Sequence, residues 1–574
     1  MNAGADTPAG NVVLYAPAVY GVDFLFMCIE VACRASQGTL TSGTPSAASG
    51  RADIVLLPVP RSFRTRLGDL ATVVAGSLPT VAREWFLASM PARASATVRA
   101  RLGHAGSIYG AVKKGCDVRL RVEGVDVSIH ALRLSWQRKL RLAASSFVTA
   151  VRFWLGAIRG GRFVAHDFLT LRYQGVDVGR FAASDTLRWH WELGASLRAT
   201  PTLFAALVDA IYLCKVSARV SLDPATVNLV MVPDLTYVFS VYEGSLADRG
   251  ADIVTLYSYK NTFRILRSGS APVHPEIAEP PGSGQIDLEA ADRYLQERIE
   301  APGRLLPYMS VGVNEPPRDA ILTLDGRLVA VDDRKLSVVI FLHSVQDAQY
   351  SYGLDGFNDL VHWTTYTIDK CLANAQIDKV LVKMHPNIDF GVFGGEKVAF
   401  DQLIARYRGC EKCVFVKSTT SLVDLARACR MYGITHHGSV AEEFVFLGQP
   451  VISWVLGPWG ENYRFARTWA TPAELSVILE SLSFETWAPP DEFQKRELAA
   501  FVSNYRFNYT DYRKRSPWRV LAEWLDGAGA AEMTDAYSRY TEMMEQMRVD
   551  DPECARFLSM LCTRSIGDEQ VWNG

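Results

Sequence analysis

Three histidines stand where chemistry could begin, each after an apolar run: His343 after VVIFL, His385 after VLVKM, and His437 after the lead-in to Thr435-His436. Imidazoles at such places can hold or neutralise an anion. After the third, Gly438-Ser439 opens a helix, whose N-terminus offers backbone N–H groups, a hydroxyl and the positive end of a dipole. That combination suits a phosphate. Glu443, one turn on, is spaced to reach a ribose or sugar hydroxyl, and the helix closes at Gly448 before Pro450. A metal is the weaker reading, because the histidines come from separate strands and only Asp347 adds a carboxylate beside them. The Cys410/Cys413 pair has neither a second pair nor histidines nearby. There is no Walker A sequence, no GxSxG elbow, and no GxGxxG after the first strand, so neither a metal nor a bound cofactor is expected.

Such loops must be carried by a parallel sheet, since ligands bind outside the carboxyl ends of its strands. The runs 335–344, 379–386 and 413–418 read as strands, and 357–375, 398–409 and 421–430 as helices between them. From 335 to about 480 the chain is therefore expected to be doubly wound α/β. The first half repeats the pattern, with strands at 11–17, 52–60, 227–234 and 251–258 and helices at 22–35 and 237–250. A Pro/Gly/Ser-rich stretch at 268–285 precedes a helix at 287–300. The expected units are 1–268, Rossmann-like with a basic helical insertion; 269–330, a linker and connecting helix; 331–490, the second Rossmann-like domain; and 491–574, helices packing back on the first domain.

A chain of 574 residues exceeds one ordinary core, and 49% hydrophobic with 21% charged residues is a normal globular balance. The net charge of −2 argues against nucleic acid as a partner. Dispersed cysteines suggest a reducing compartment. The first residues lack a signal-peptide pattern, and no apolar run reaches the ~18 residues of a membrane span. A cytoplasmic location follows as the expectation. Residues 130–162 carry Arg133, Arg138, Lys139, Arg141, Arg152, Arg159 and Arg162 without one acid, interleaved with Trp136, Phe147, Phe153 and Trp154. The segment reads either as a solvated helix with aromatics in the core or as a peripheral contact with an anionic inner-membrane surface.

The His385-Pro386 dipeptide, Ser418-Thr419-Thr420-Ser421 and HGSVAEEFVFLGQP resemble the donor half of GT-B glycosyltransferases, above all bacterial enzymes of capsule and lipopolysaccharide assembly. The His-Pro element is similar to that of transferases using CMP-sugars, the sialyl- and Kdo-transferases, and of teichoic-acid glycerophosphotransferases. Residues 173–188 and 232–254 look like segments of the same capsule enzymes, so the resemblance spans about two thirds of the chain. It implies two Rossmann-like domains facing a cleft, a nucleotide-sugar donor in the second, and a glycan or lipid-linked acceptor at the first. His385 would contact the donor's phosphate or cytidine side, Ser439 the phosphate and Glu443 the ribose, with Ser418 and Ser421 flanking the nucleotide. A base would come from the first domain, where Asp234, Asp185 and Glu243 are the candidates. No Asp/Glu-Asp-Gly base motif of the sialyltransferase kind is present. A CDP-glycerol transferase, a nucleotide-sugar epimerase and a non-catalytic scaffold are the rival readings.

Overall fold

The computed structural model describes residues 11–17, 28–29, 31–33, 35–36, 50–58, 118–122, 125–189, 197–232, 237–257, 262–266, 286, 288–300, 321–329, 331–332, 334–346, 349–350, 353–385, 394–503, 510–511 and 570–572. The first sheet is built from β1 (Asn11–Pro17), β2 (Arg51–Leu57), β3 (Val118–Val122), β4 (Val125–Ala131), β5 (Val227–Met231), β6 (Asp252–Tyr257) and β7 (Thr262–Leu266). Their spatial order is β7-β6-β5-β1-β2-β4-β3. The five inner strands run parallel, and β7 and β3 are antiparallel to their neighbours. Against this sheet lie α1 (Trp136–Gly156), α2 (Ala165–Leu169), α3 (Val178–Trp189), α4 (Pro201–Ser217) and α5 (Val241–Ala247). Together they enclose one core that includes Tyr15, Val230, Leu207 and Tyr242.

The basic segment differs from the single helix read over 130–162. His130 and Ala131 finish β4, α1 starts only at Trp136 behind the Ser135 cap, and Ile158–Phe163 make a small hairpin. The cause is visible in VRLRVEGVDVSIHA, where alternating residues flank Glu123-Gly124 and Val122 pairs with Val125. That is a hairpin pattern, and it continues past residue 130.

The second sheet has six parallel strands: β8 (Leu336–Phe341), β9 (Ile377–Lys383), β10 (Cys413–Val416), β11 (Met431–Ile434), β12 (Val451–Trp454) and β13 (Arg467–Trp469). Their order is β10-β9-β8-β11-β12-β13, the 3-2-1-4-5-6 arrangement of the Rossmann fold. The helices are α6 (Leu288–Glu300), α7 (Leu360–Ala373), α8 (Gly394–Arg406), α9 (Leu422–Ala428), α10 (Val440–Phe446), α11 (Pro472–Glu480) and α12 (Glu492–Phe501). Alternation along β8 explains why both faces are covered. Leu336, Val338 and Ile340 enter a core with Trp363 of α7 and Leu475 of α11. Val339 and Phe341 enter the opposite core with Leu295 of α6, Phe444 of α10 and Phe501 of α12.

The chain therefore holds two Rossmann-like doubly wound units, the architecture the resemblance implies. The units touch: Tyr350 and Leu354, from the loop before α7, join the first unit's core. Of the 491–574 tail, α12 lies on the second unit, whereas Thr510–Asp511 and Gln570–Trp572 extend the two edges of the first sheet. Most of that tail lies outside the described residues.

Candidate functional site

In the second sheet the topology reverses between β8 and β11, and the crevice of a Rossmann sheet opens at the carboxyl ends of those two strands. His343 follows β8, His437 follows β11, and His385 follows the neighbouring β9. The rings of His343 and His437 stack with centroids 4.3 Å apart. The His437 N–H donates to Nε2 of His343 at 3.3 Å, and Thr435 Oγ1 lies 3.1 Å from the same nitrogen. Nε2 of His343 therefore holds a lone pair and its proton sits on Nδ1. Burial, reinforced by His436 and His385, holds His343 well below the ordinary histidine range. Burial and the neighbouring Lys383 push His385 down to about 4. Both imidazoles are neutral at pH 7, so each can donate one N–H without carrying charge.

Beneath this pair lies a residue that the histidine-at-strand-end reading passed over. His436 is 1% exposed and ringed by Trp363, Trp454 and Trp469. Its Nε2 lies 2.7 Å from Asp355 Oδ2, and its Nδ1 lies 2.6 Å from Nδ1 of His437. The other oxygen of Asp355 accepts from the N–H of Phe357 at 2.8 Å. Sequence signals for this chain were a His-His dipeptide and the Asp355-Gly356 turn, neither of which by itself indicates contact.

The Gly438-Ser439 turn is built to close tolerance. A Cβ on Gly438 would come within 2.9 Å of Thr435 Oγ1 and 3.0 Å of His343 Cε1, so a glycine keeps the His343 loop in place. The N–H groups here are partly used: Gly438 donates to Thr435 Oγ1, Ala441 to the Gly438 carbonyl and Glu442 to the Ser439 carbonyl. The Ser439 hydroxyl does not cap its helix; it accepts from Arg298 Nη2 at 2.9 Å. Arg298, at the end of α6, also pairs with Glu443 and with Glu442, all three being buried. Burial pushes the Glu443 carboxyl up, against the pull of Arg298. The carboxylate expected to meet a ribose is thus already oriented by a guanidinium that sequence reading did not single out.

Other expected residues take identifiable places. Ser421 caps α9 by accepting from Val423 N–H at 3.2 Å. Ser418 is buried, and its carbonyl accepts from the Lys383 ammonium. Glu396 on α8, fully buried, accepts from Ser344 Oγ and from the N–H of Gln346, which fastens the loop bearing His343. Pro386 and Asp347 lie outside the described residues, as does Asp234. Asp185 lies on α3, and Glu243 is buried in α5 where it acts electrostatically on Arg180. Arg180 Nη1 lies within 3.9 Å of the Cβ position of Gly353, two residues before Asp355. Among the described residues no group of three or more His, Cys, Asp or Glu is arranged to hold a metal ion, and no helix is long and apolar enough to cross a membrane.

No family model matches the chain, and no curated protein does. Among solved structures it is similar to the KpsC β-Kdo 2,4 transferase of Thermosulfurimonas dismutans, at 11% identity, covering 48% of this chain and 80% of that one with a TM-score of 0.29. It is also similar to a UDP-forming α,α-trehalose-phosphate synthase from Burkholderia xenovorans, at 11% identity, covering 90% and 100% with a TM-score of 0.26. Anabaena HepE, solved with UDP-glucose, is 10% identical, covering 94% and 99% with a TM-score of 0.23. Each likeness is distant, so the fold rests on the strand order and the site on the residues above.

Proposed function

We propose that this chain is a metal-independent glycosyltransferase that moves a sugar from a nucleotide-activated donor to a surface polysaccharide or lipid-linked acceptor. The observation that carries the reading is the meeting of His343 and His437, stacked at 4.3 Å, at the switch point of a 3-2-1-4-5-6 sheet. The neutral imidazoles of His343 and His385, each with one N–H to donate, and the Gly438-Ser439 turn beside His343 suit the phosphate of a departing nucleotide. Ser418, Ser421, Pro386 and His385 would line the nucleotide, and Glu443, oriented by Arg298, would take the ribose. The His385-Pro386 element favours a CMP-sugar such as CMP-Kdo. Glu243 or Asp185, or Asp234, would supply the base from the first unit. The boundaries at 268, 330 and 490 are part of the same reading.

A thermal-shift panel of CMP, CDP, UDP and GDP tests it, because a ligand of the native state raises the melting temperature. At least one nucleotide should raise it, and His385→Ala and Ser439→Ala should each abolish the effect. Unchanged shifts in both variants would sink the site; no shift with any nucleotide would favour a scaffold. Phosphate carried into the product would identify a glycerophosphotransferase, and isomerised donor without nucleotide release an epimerase.

A second reading, on a separate observation, places the first unit on an anionic membrane surface of the cytoplasmic side. Helix α1 buries Leu142, Ser146 and Ala150, yet another face shows Trp136 (68% exposed), Leu140 (59%) and Leu155 (62%) with Phe147 and Val148. Arg138, Lys139, Arg141 and Arg152 are exposed beside them, and no acid interrupts the helix. An apolar stripe bordered by cations fits lipid tails and anionic headgroups together. The protein should sediment with phosphatidylserine vesicles at low salt but not with phosphatidylcholine ones. Trp136→Glu with Leu140→Glu should release it, and retention by that variant would refute the reading.

A further inference from the structure

We propose that Gln346 recognises the transferred sugar: its buried carboxamide, which makes no hydrogen bond to the described residues, pairs with two neighbouring hydroxyls of the sugar on the nucleotide. The inference rests on the nucleotide reading above and deepens it by assigning a specificity-determining residue for the sugar.

The other buried glutamines among the described residues behave in the ordinary way. Gln449 accepts on Oε1 from the Met431 N–H at 3.2 Å, and its Nε2 donates to the Ala426 carbonyl at 2.6 Å. Gln349 accepts from the Leu360 N–H at 2.9 Å. Gln346 is 1% exposed, yet neither its Oε1 nor its Nε2 has a hydrogen-bond partner among the described residues. Its backbone is nevertheless fixed, because the Gln346 N–H and the Ser344 hydroxyl both donate to Glu396 Oε1. A carboxamide holds a donor and an acceptor side by side. Burying both unmet is unfavourable, and a ligand that meets them removes that cost.

The sheet decides which part of the ligand comes near. Gln346 stands three residues after His343, beyond the carboxyl end of β8. Val345 beside it enters the core on the α7 side of the sheet, as do Phe400 and Leu403 of α8. The residues read as nucleoside contacts lie on the other side. Ser421 caps α9 and Glu443 belongs to α10, helices whose Leu425 and Phe444 enter the opposite core. A phosphate held between His343 and the Gly438-Ser439 turn therefore has its nucleoside over one face of the sheet and its sugar over the other. Hydroxyls on adjacent sugar carbons each donate and accept, which matches a carboxamide. Turning the Gln346 side chain about its torsions brings it to them, while Glu396 holds the backbone in place.

Two apolar substitutions, Gln346→Met and Gln346→Leu, test this, with Gln449→Met as the comparison. In urea without nucleotide, at least one Gln346 variant should have a midpoint at or above that of wild type, because no bond to the described residues is lost. Gln449→Met should have a lower midpoint, since it leaves the Met431 N–H and the Ala426 carbonyl unmet. Midpoints lowered in both Gln346 variants as far as in Gln449→Met overturn the proposal. Calorimetric titration of the full chain then compares CMP with CMP-Kdo, UDP with UDP-glucose and GDP with GDP-mannose. Wild type should bind one nucleotide sugar more tightly than its bare nucleotide. The Gln346 variants should bind that nucleotide unchanged and the nucleotide sugar roughly tenfold more weakly, the usual effect of losing two hydrogen bonds. Gln346→Asn, which keeps the carboxamide on a shorter stem, should lose the same increment. An equal change for nucleotide and nucleotide sugar, or a wild type that binds no nucleotide sugar more tightly than its nucleotide, overturns the role of Gln346 and leaves the nucleotide reading standing. A wild type that binds neither nucleotides nor nucleotide sugars overturns both.

Discussion

At the level of single residues, burial sets the charge state of the site. His385 titrates at about 4 in the folded chain, and an unfolded histidine titrates near 6.5. His343 is displaced in the same direction. Between these values the unfolded chain binds more protons than the folded one, so stability rises with pH. The contribution is fully present above about pH 6.5 and is lost as pH falls toward 4. The urea midpoint should accordingly be lower at pH 5 than at pH 7.5, and His385→Gln should narrow that gap. A gap unchanged by the substitution would mean that other groups dominate acid sensitivity. Arg298 is the counterpart: it pairs with two buried acids, Glu442 and Glu443, and pulls against the burial that pushes the Glu443 carboxyl up, where a buried acid left alone would be costly.

At the level of elements, what matters is how closely α10 approaches the sheet. Gly433 in β11 permits it, because a Cβ there would come within 2.6 Å of Phe444 Cδ1 and 3.2 Å of Phe341 Cε2. Gly433→Ala should destabilise the chain by about 1–3 kcal/mol, as overpacking does. It should also weaken nucleotide binding, since α10 carries Ser439 and Glu443; undiminished affinity would separate the helix from the site. The elements themselves were largely legible. KLSVVIFLHS reads as a strand because burial on two faces demands an unbroken apolar run. His343, His385 and His437 could be placed at strand ends for the same reason. The hairpin at 118–131 is less legible, because Arg119 and Arg121 interrupt its apolar alternation and its second strand runs directly into the basic segment. The Asp355–His436–His437 chain and the Arg298 node were not legible, because both join residues far apart in sequence, and only strand order brings them together.

At the level of the whole molecule, the loop before α7 ties the two units. Tyr350 sits in the first unit's core and Leu354 packs against it, while Asp355 holds His436 in the second. Tyr350, 4% exposed, also donates to the Asn358 carbonyl at 2.8 Å. Tyr350→Ala should cost about 3–5 kcal/mol, in line with aromatic truncation in a core, and should split calorimetric unfolding into two transitions. A single transition at lower temperature would show that other contacts couple the units.

The placement of β8 has a bearing on biogenesis. It is the first strand of its sheet to leave the ribosome, yet it occupies the centre, and Ser337 pairs with Met431 much later in the chain. Until that second strand is synthesised, an entirely buried-type segment, LSVVIF, has one edge open and no crevice exists. Nascent chains halted before residue 431 should therefore be the aggregation-prone ones, and chaperone dependence should fall once β11 has emerged.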